Sequence, residues 1–78
     1  MAWVEVHDEV ADGNLADWHL CFQRCTYHYD DGRTDEGYRF IWRTPEGRLQ
    51  PARGQARIPN AAALRALIDQ AEAAGWLA

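Results

Sequence analysis

Apolar side chains change their spacing along this chain, from every second residue in its middle to every third or fourth residue near its end. Tyr38, Phe40 and Trp42 alternate with polar neighbours, as residues on one face of a β-strand do. Leu64 and Leu67 belong to a later stripe with the spacing of one helix face. Because an apolar sheet face and an apolar helix face bury each other, the chain predicts a two-layer α+β fold.

The length and composition indicate one domain, residues 1–78. Four Trp, three Tyr and two Phe supply a large apolar area, which excludes a disordered chain. Residues 1–10 lack the apolar core of a signal peptide, and no apolar run approaches the roughly 20 residues of a membrane helix. We therefore expect a cytoplasmic protein with no membrane role. The absence of Lys and Ser is typical of a GC-rich bacterial genome.

Four segments carry the β-branched and aromatic residues of strands: residues 2–7, 18–29, 38–44 and part of 48–58. Acidic, glycine-containing loops and a Thr44–Gly47 turn separate them. The pattern predicts a three- or four-stranded antiparallel β-meander with one C-terminal α-helix packed on one face. Pro51 cannot donate a ladder hydrogen bond, so the fourth strand is expected at an edge.

The second strand changes which of its positions are apolar, from even numbers up to Phe22 to odd numbers from Cys25 onward. An inserted residue would produce that change, so we predict a β-bulge near residues 23–24. Pairing Tyr29 with Tyr38 across the acidic loop then places Cys25 on the aromatic face beneath the helix.

The helix has sequence signals at both of its ends. Asn60 precedes the apolar stripe and can accept a hydrogen bond from a free amide of the first turn. Gly75 suits the residue after the helix, and Trp76 can make the apolar contact that follows such a cap. We expect Tyr38, Phe40 and Trp42 to be buried against the stripe of Leu64, Leu67 and Ile68.

Charge is distributed unevenly along the chain. Residues 1–37 contain nine acidic residues and two Arg, whereas residues 38–78 contain three acidic residues and six Arg. The outward sheet face is expected to collect the candidate binding residues, which are Arg24, Arg39, Arg43, Arg53 and Arg57. The guanidinium group of Arg can hold a carboxylate or phosphate with two hydrogen bonds. The competing interpretation is a polar face that only meets solvent.

The chain also contains cysteine and histidine residues that could bind a metal ion or act in catalysis. His19, Cys21, Cys25 and His28 contain the donor atoms of a zinc site, but four residues of strand separate the two thiols by roughly 13 Å. They can form neither a disulfide with each other nor a compact metal site. We predict no catalytic residue, no metal and no cofactor, and we expect both thiols to stay reduced.

These observations favour a non-enzymatic binding or interaction module that acts through the Arg-bearing sheet face or through a sheet edge. A protein partner or a homodimer is favoured over nucleic acid, because the acidic N-terminal half repels a phosphate backbone and the chain lacks the basic pI of a nucleic-acid-binding domain. Two alternatives stay open. One is weak anion or single-stranded nucleic-acid binding, and the other is a small thiol- or metal-dependent enzyme.

Overall fold

The computed structural model describes residues 2–50 and 56–77. Three strands, β1 (Trp3–Asp12), β2 (His19–His28) and β3 (Thr34–Arg43), form an antiparallel sheet in the order β1-β2-β3. One helix, α1 (Ala61–Ala73), packs on one face of the sheet, which confirms the predicted α+β fold. Within the described residues, no helix has both the length and the apolar character that crossing a membrane requires.

The described part of the predicted fourth strand, residues 48–50 and 56–58, forms one isolated bridge. After β3 the chain turns at Gly47, whose φ of +83° is one that glycine adopts without strain. Leu49 then makes an isolated bridge with Arg43. Residues 51–55 of the predicted strand lie outside the described residues, so the sheet described has three strands rather than four.

The core lies between α1 and the first half of β2. Leu20 and Phe22 of β2 are buried against Leu67 and Ala71 of α1. Partly buried side chains complete this cluster: Val10, Phe40, Trp42, Ile58, Trp76 and Leu77. Burying a side chain the size of Leu67 contributes about 1.5–3 kcal/mol to stability.

The predicted core is confirmed in part. Leu67 is fully buried, while Phe40, Trp42, Leu64 and Ile68 are half-buried. Tyr38 is 51% exposed, contrary to expectation. It lies at the margin of the core cluster, where its ring stacks on Phe22 and on Trp76 with centroids 5.8 and 6.1 Å apart.

Both predicted helix ends are confirmed. The Asn60 side chain accepts a hydrogen bond of 2.8 Å from the amide of Ala63, which satisfies one free donor of the first turn. Gly75 has a φ of +85°, and Trp76 beyond it packs on Phe22 with ring centroids 5.4 Å apart. The contact closes the end of the helix over the core.

The register between β2 and β3 differs from the prediction by five residues. Tyr38 pairs with Arg24, not with Tyr29. The hairpin closes through a tight turn in which the amide of Tyr29 donates to the carbonyl of Arg33 at 2.9 Å. Cys25 therefore lies opposite Gly37, on the face away from α1, and the prediction that it packs among the core aromatics is wrong.

The bulge also lies elsewhere. The irregularity falls in β1 between Val6 and Asp8, so that His7 is the extra residue, while β2 keeps a regular register with β3. The change from Phe22 to Cys25 therefore reflects apolar residues on two faces of β2, since the open face is buried at Cys21 as well as at Cys25. The helix covers Phe22, whereas Cys25 is buried on the opposite face at the other end of the strand.

Candidate functional site

The sheet face away from α1 is here called the open face, and three parallel rows of residues lie at its centre. The register sets one polar row between two mainly apolar ones. The rows run from β1 to β3 as Ala11–Cys21–Ile41, Glu9–Gln23–Arg39 and Val6–Cys25–Gly37. This face therefore differs from a uniformly solvated surface.

The polar row is joined by hydrogen bonds across all three strands. The Gln23 side-chain amide donates to Glu9 Oε1 at 2.5 Å, and its oxygen accepts from Arg39 Nε at 2.7 Å. Gln23 is 0% exposed, so these two neighbours supply the hydrogen bonds that water cannot. The row fixes the mutual position of the strands on this face.

Arg43 forms a second link across the sheet. Its Nη2 donates to Glu9 Oε1 at 2.8 Å, and its Nε lies 3.1 Å from both carboxylate oxygens. Arg43 is on β3 and Glu9 is on β1, so the pair passes over β2 beside Cys21. Cys21 is 0% exposed beneath it.

The ionisation of these groups follows from their surroundings. Partial burial alone would raise the pKa of Glu9, but hydrogen bonds from Arg43 and Gln23 and the Arg43 charge outweigh it, and the net pKa is lowered. Burial, followed by the nearby Glu9 charge, raises the pKa of Cys21 to about 11. Burial also raises the pKa of Cys25. Neither thiol is activated as a nucleophile.

The structure describes four of the five Arg residues that were predicted to share the outward face, and it separates them. Arg39 and Arg43 do lie there, but the register places Arg24 on the helix face, where its Nε donates to Asp8 at 2.7 Å. Arg57 lies in the connection to α1, and its carbonyl accepts a hydrogen bond from the Trp42 indole. Arg53 lies outside the described residues.

The His and Cys side chains are also dispersed. His19, Cys21 and Cys25 lie on the open face, and both cysteines are free and buried. His28 lies on the helix face, where its ring stacks on Trp3 with centroids 4.1 Å apart. Across the described ranges, no three His, Cys, Asp or Glu side chains are grouped closely enough to hold a metal ion.

The outer edge of β1 is a further candidate for a binding surface. In the part of the chain that the structure describes, β1 pairs with β2 alone. The carbonyl of Trp42 accepts a hydrogen bond from the amide of Gln50, on the side of β3 away from β2. Leu20 is the β2 partner of Trp42, so this pair is not hydrogen-bonded and the main-chain groups of Leu20 point toward β1. Asp12, opposite Leu20, then faces β2, and the main chains of Glu9 and Ala11 face outward.

A groove lies along this edge. The Gln70 side-chain amide donates to the carbonyl of Ala11 at 3.1 Å, which agrees with an outward-facing Ala11. Leu15 beside it is 63% exposed. The groove has a volume of about 490 Å³ and is lined by Glu9, Val10, Ala11, Gly13, Leu15, His19 and Gln70.

Sequence reasoning missed this groove because it ended the first strand at residue 7 and assigned residues 8–17 to a loop. The strand continues to Asp12. Residues 8–12 carry no alternation of polar and apolar side chains that would have marked a strand, because acidic and apolar residues occur on both faces. Their acidic residues also favoured a loop, because acidic residues are depleted in strands.

Comparison with known proteins finds no matching family model, no matching curated protein and no matching solved structure.

Proposed function

We propose that the protein is a non-enzymatic interaction module that binds an extended segment of a protein partner along the outer edge of β1. The supporting observation is that three consecutive strand residues, Glu9, Val10 and Ala11, line an open groove. A groove bounded by the edge of a strand offers main-chain donors and acceptors together with side-chain contacts, the two elements of strand addition.

The side-chain amide of Gln70 already occupies one edge acceptor. It donates to the Ala11 carbonyl as the amide of an added strand would. Gln70 is an exposed residue of α1, so a partner can displace its amide group into water at small cost. The groove therefore has an acceptor that an incoming main-chain amide can take over.

The Arg-bearing face is a weaker candidate for the binding surface than the outer edge of β1. Arg43 is bound to Glu9, Arg24 to Asp8, and Arg39 to Gln23. An anion would have to compete with carboxylates that are held in place at 2.7–2.8 Å. We therefore rank anion or single-stranded nucleic-acid binding below strand addition, and a thiol enzyme lower still, because both thiols are buried.

A selection with a displayed library of random peptides tests the proposal. Selected peptides are titrated into isotope-labelled protein, and amide exchange is followed residue by residue. We expect protection of the outward amides of Glu9 and Ala11. The substitution Ala11→Pro removes one outward donor, and proline is tolerated at a strand edge, so affinity should fall roughly five-fold with the fold intact.

The matched control is Ala61→Pro. Ala61 is the first residue of α1 and follows an extended N-cap residue, which is the helical position where proline is best accepted. Its peptide affinity should equal that of the wild type. Failure to select any peptide, protection of amides elsewhere, or equal binding by Ala11→Pro would each contradict the proposal.

A further inference from the structure

We infer that the segment bound at the β1 edge is basic, with Arg or Lys alternating with small apolar residues. This inference rests on the function proposed above and specifies the chemistry of its partner. The half of β1 that runs beside the groove, residues 8–12, contains Asp8, Glu9 and Asp12 and no Arg or Lys, and of these three Glu9 lines the groove. A strand added there places its side chains directly beside these residues on both faces of the sheet.

The two faces of the added strand meet different neighbours. On the helix face, its side chains lie beside Asp8 and Asp12, two residues to either side of Val10. On the open face, they lie beside Ala11 and beside Glu9, whose carboxylate is already bound by Arg43. The groove adds the exposed apolar side chain of Leu15. Alternation of basic and apolar side chains matches both faces at once.

The acidic residues differ in how much of their charge is already balanced. Asp8 is held by Arg24 at 2.7 Å, and Glu9 by Arg43 at 2.8 Å. Asp12 has no cationic partner among the described residues, and the carboxylate of Asp17, which follows in the next loop, accepts a hydrogen bond from the main-chain amide of Trp18. The negative charge at the Asp12 end of the edge is therefore the charge still available to a partner.

A second copy of this chain is a less complementary occupant of the same edge than a basic segment. An antiparallel pairing of two β1 strands centred on Val10 would set Asp8 of each copy opposite Asp12 of the other, and a pairing centred on Glu9 would set two carboxylates directly opposite each other. A pairing centred on Ala11 avoids opposed carboxylates but forms no pair of opposite charges. Like charges in directly opposed positions destabilise a sheet, so charge complementarity favours a basic partner segment over self-pairing.

Three synthetic peptides of about seven residues, a typical strand length, test the inference. The first alternates Arg with Val or Thr, the second replaces each Arg by Glu, and the third keeps every Arg but carries proline at alternate positions. Affinity is measured by fluorescence anisotropy at two salt concentrations, and binding is located by amide exchange. We expect the Arg peptide to bind at least ten-fold more tightly than the Glu peptide.

Single substitutions then locate the charge. Asp12→Asn should weaken binding of the Arg peptide about two- to five-fold, the range of one cross-strand charge pair. Glu46→Gln is the matched control, because it removes the same charge from an exposed turn on the β3 side of the sheet. Its affinity should stay at the wild-type value, and the Asp12→Asn effect should shrink at the higher salt concentration.

The outcomes separate this inference from the function on which it rests. Equal protection of the β1 amides by the Arg and Glu peptides would overturn the basic-segment inference and leave strand addition standing. Equal binding of the Arg peptide and its proline-containing form would show attraction of charge without an added strand, which overturns both. A concentration-dependent dimer that protects the Glu9 and Ala11 amides without peptide would replace the basic segment by a second copy.

Discussion

Arg43 of β3 binds Glu9 of β1 across the full width of the sheet, with Nη2 2.8 Å from Oε1, and the thiol of Cys21 lies on the strand between them. An ion pair at a surface contributes modestly to stability, about 0–1 kcal/mol. Its second effect is steric, because two long side chains lie over a small one. This arrangement explains how Cys21 is fully buried on a sheet face that α1 does not cover.

Removing the Glu9 charge should expose the thiol below it. In Glu9→Gln the Arg43 side chain loses its charged partner, and the carboxylate that helps to raise the pKa of Cys21 is gone. We expect faster labelling of Cys21 by a thiol reagent in the native state, and a loss of about 0.5–1 kcal/mol in unfolding free energy. Glu46→Gln should label at the wild-type rate. An unchanged labelling rate in Glu9→Gln would show that Arg43 does not shield the thiol.

The same pair should make stability depend on pH in the acid range. The pKa of Glu9 is lowered in the folded protein from an ordinary value of 4.5, so its contribution is fully present well above that value. The contribution is lost as pH falls through the lowered pKa of the folded state. Urea unfolding of the wild type and Glu9→Gln should therefore show a stability difference near pH 7 that shrinks toward about pH 3. A constant difference at both pH values would refute this account.

Gln23 should be difficult to replace. Its amide is fully buried and links Glu9 to Arg39, so Gln23→Ala removes the hydrogen-bond partner of Arg39, leaves Glu9 with Arg43 alone and opens space between the strands. We expect unfolding free energy to fall by roughly 1–3 kcal/mol. The control is Gln70→Ala on the exposed surface of α1, which should change stability by less than about 0.5 kcal/mol. Equal effects of the two substitutions would show that the polar row adds little to the unfolding free energy.

The packing of α1 can be tested at one side chain. Leu67 is 0% exposed in the core cluster, so Leu67→Ala should reduce unfolding free energy by about 2–5 kcal/mol through lost burial and a cavity. Leu64→Ala, at a half-buried position of the same helix, should cost distinctly less. Chemical denaturation measured by tryptophan fluorescence and by circular dichroism gives both values. Similar losses would place Leu64 as deep in the core as Leu67.

The fold class was predictable because each apolar pattern has one simple solution. The alternation from Tyr38 to Trp42 and the helical stripe through Leu67 require a sheet and a helix that cover each other. The side chain of Asn60 marks the start of α1 by local chemistry alone. These signals lie within single segments and need no knowledge of which strands meet.

The candidate site was not predictable because it depends on pairing between segments. Glu9 was assigned to a loop, since a sequence does not show that Arg43 will reach it from a strand more than thirty residues away. The change of apolar face between Phe22 and Cys25 resembled a bulge, because a sequence does not show where α1 stops covering the sheet. The real bulge at His7 follows from the register with β2, which only the folded chain defines.

The extra residue at His7 has a consequence for any strand that joins the β1 edge. It divides the edge into two short stretches that are out of phase with each other, Trp3–Val6 and Asp8–Asp12. A regular incoming strand stays in step with one stretch only, and its ladder ends where the phase changes. The bulge therefore limits the length of the ladder that a partner strand can form and opposes a shift in its register. It also interrupts the long, uniform edge that repeated edge-to-edge pairing of sheets requires.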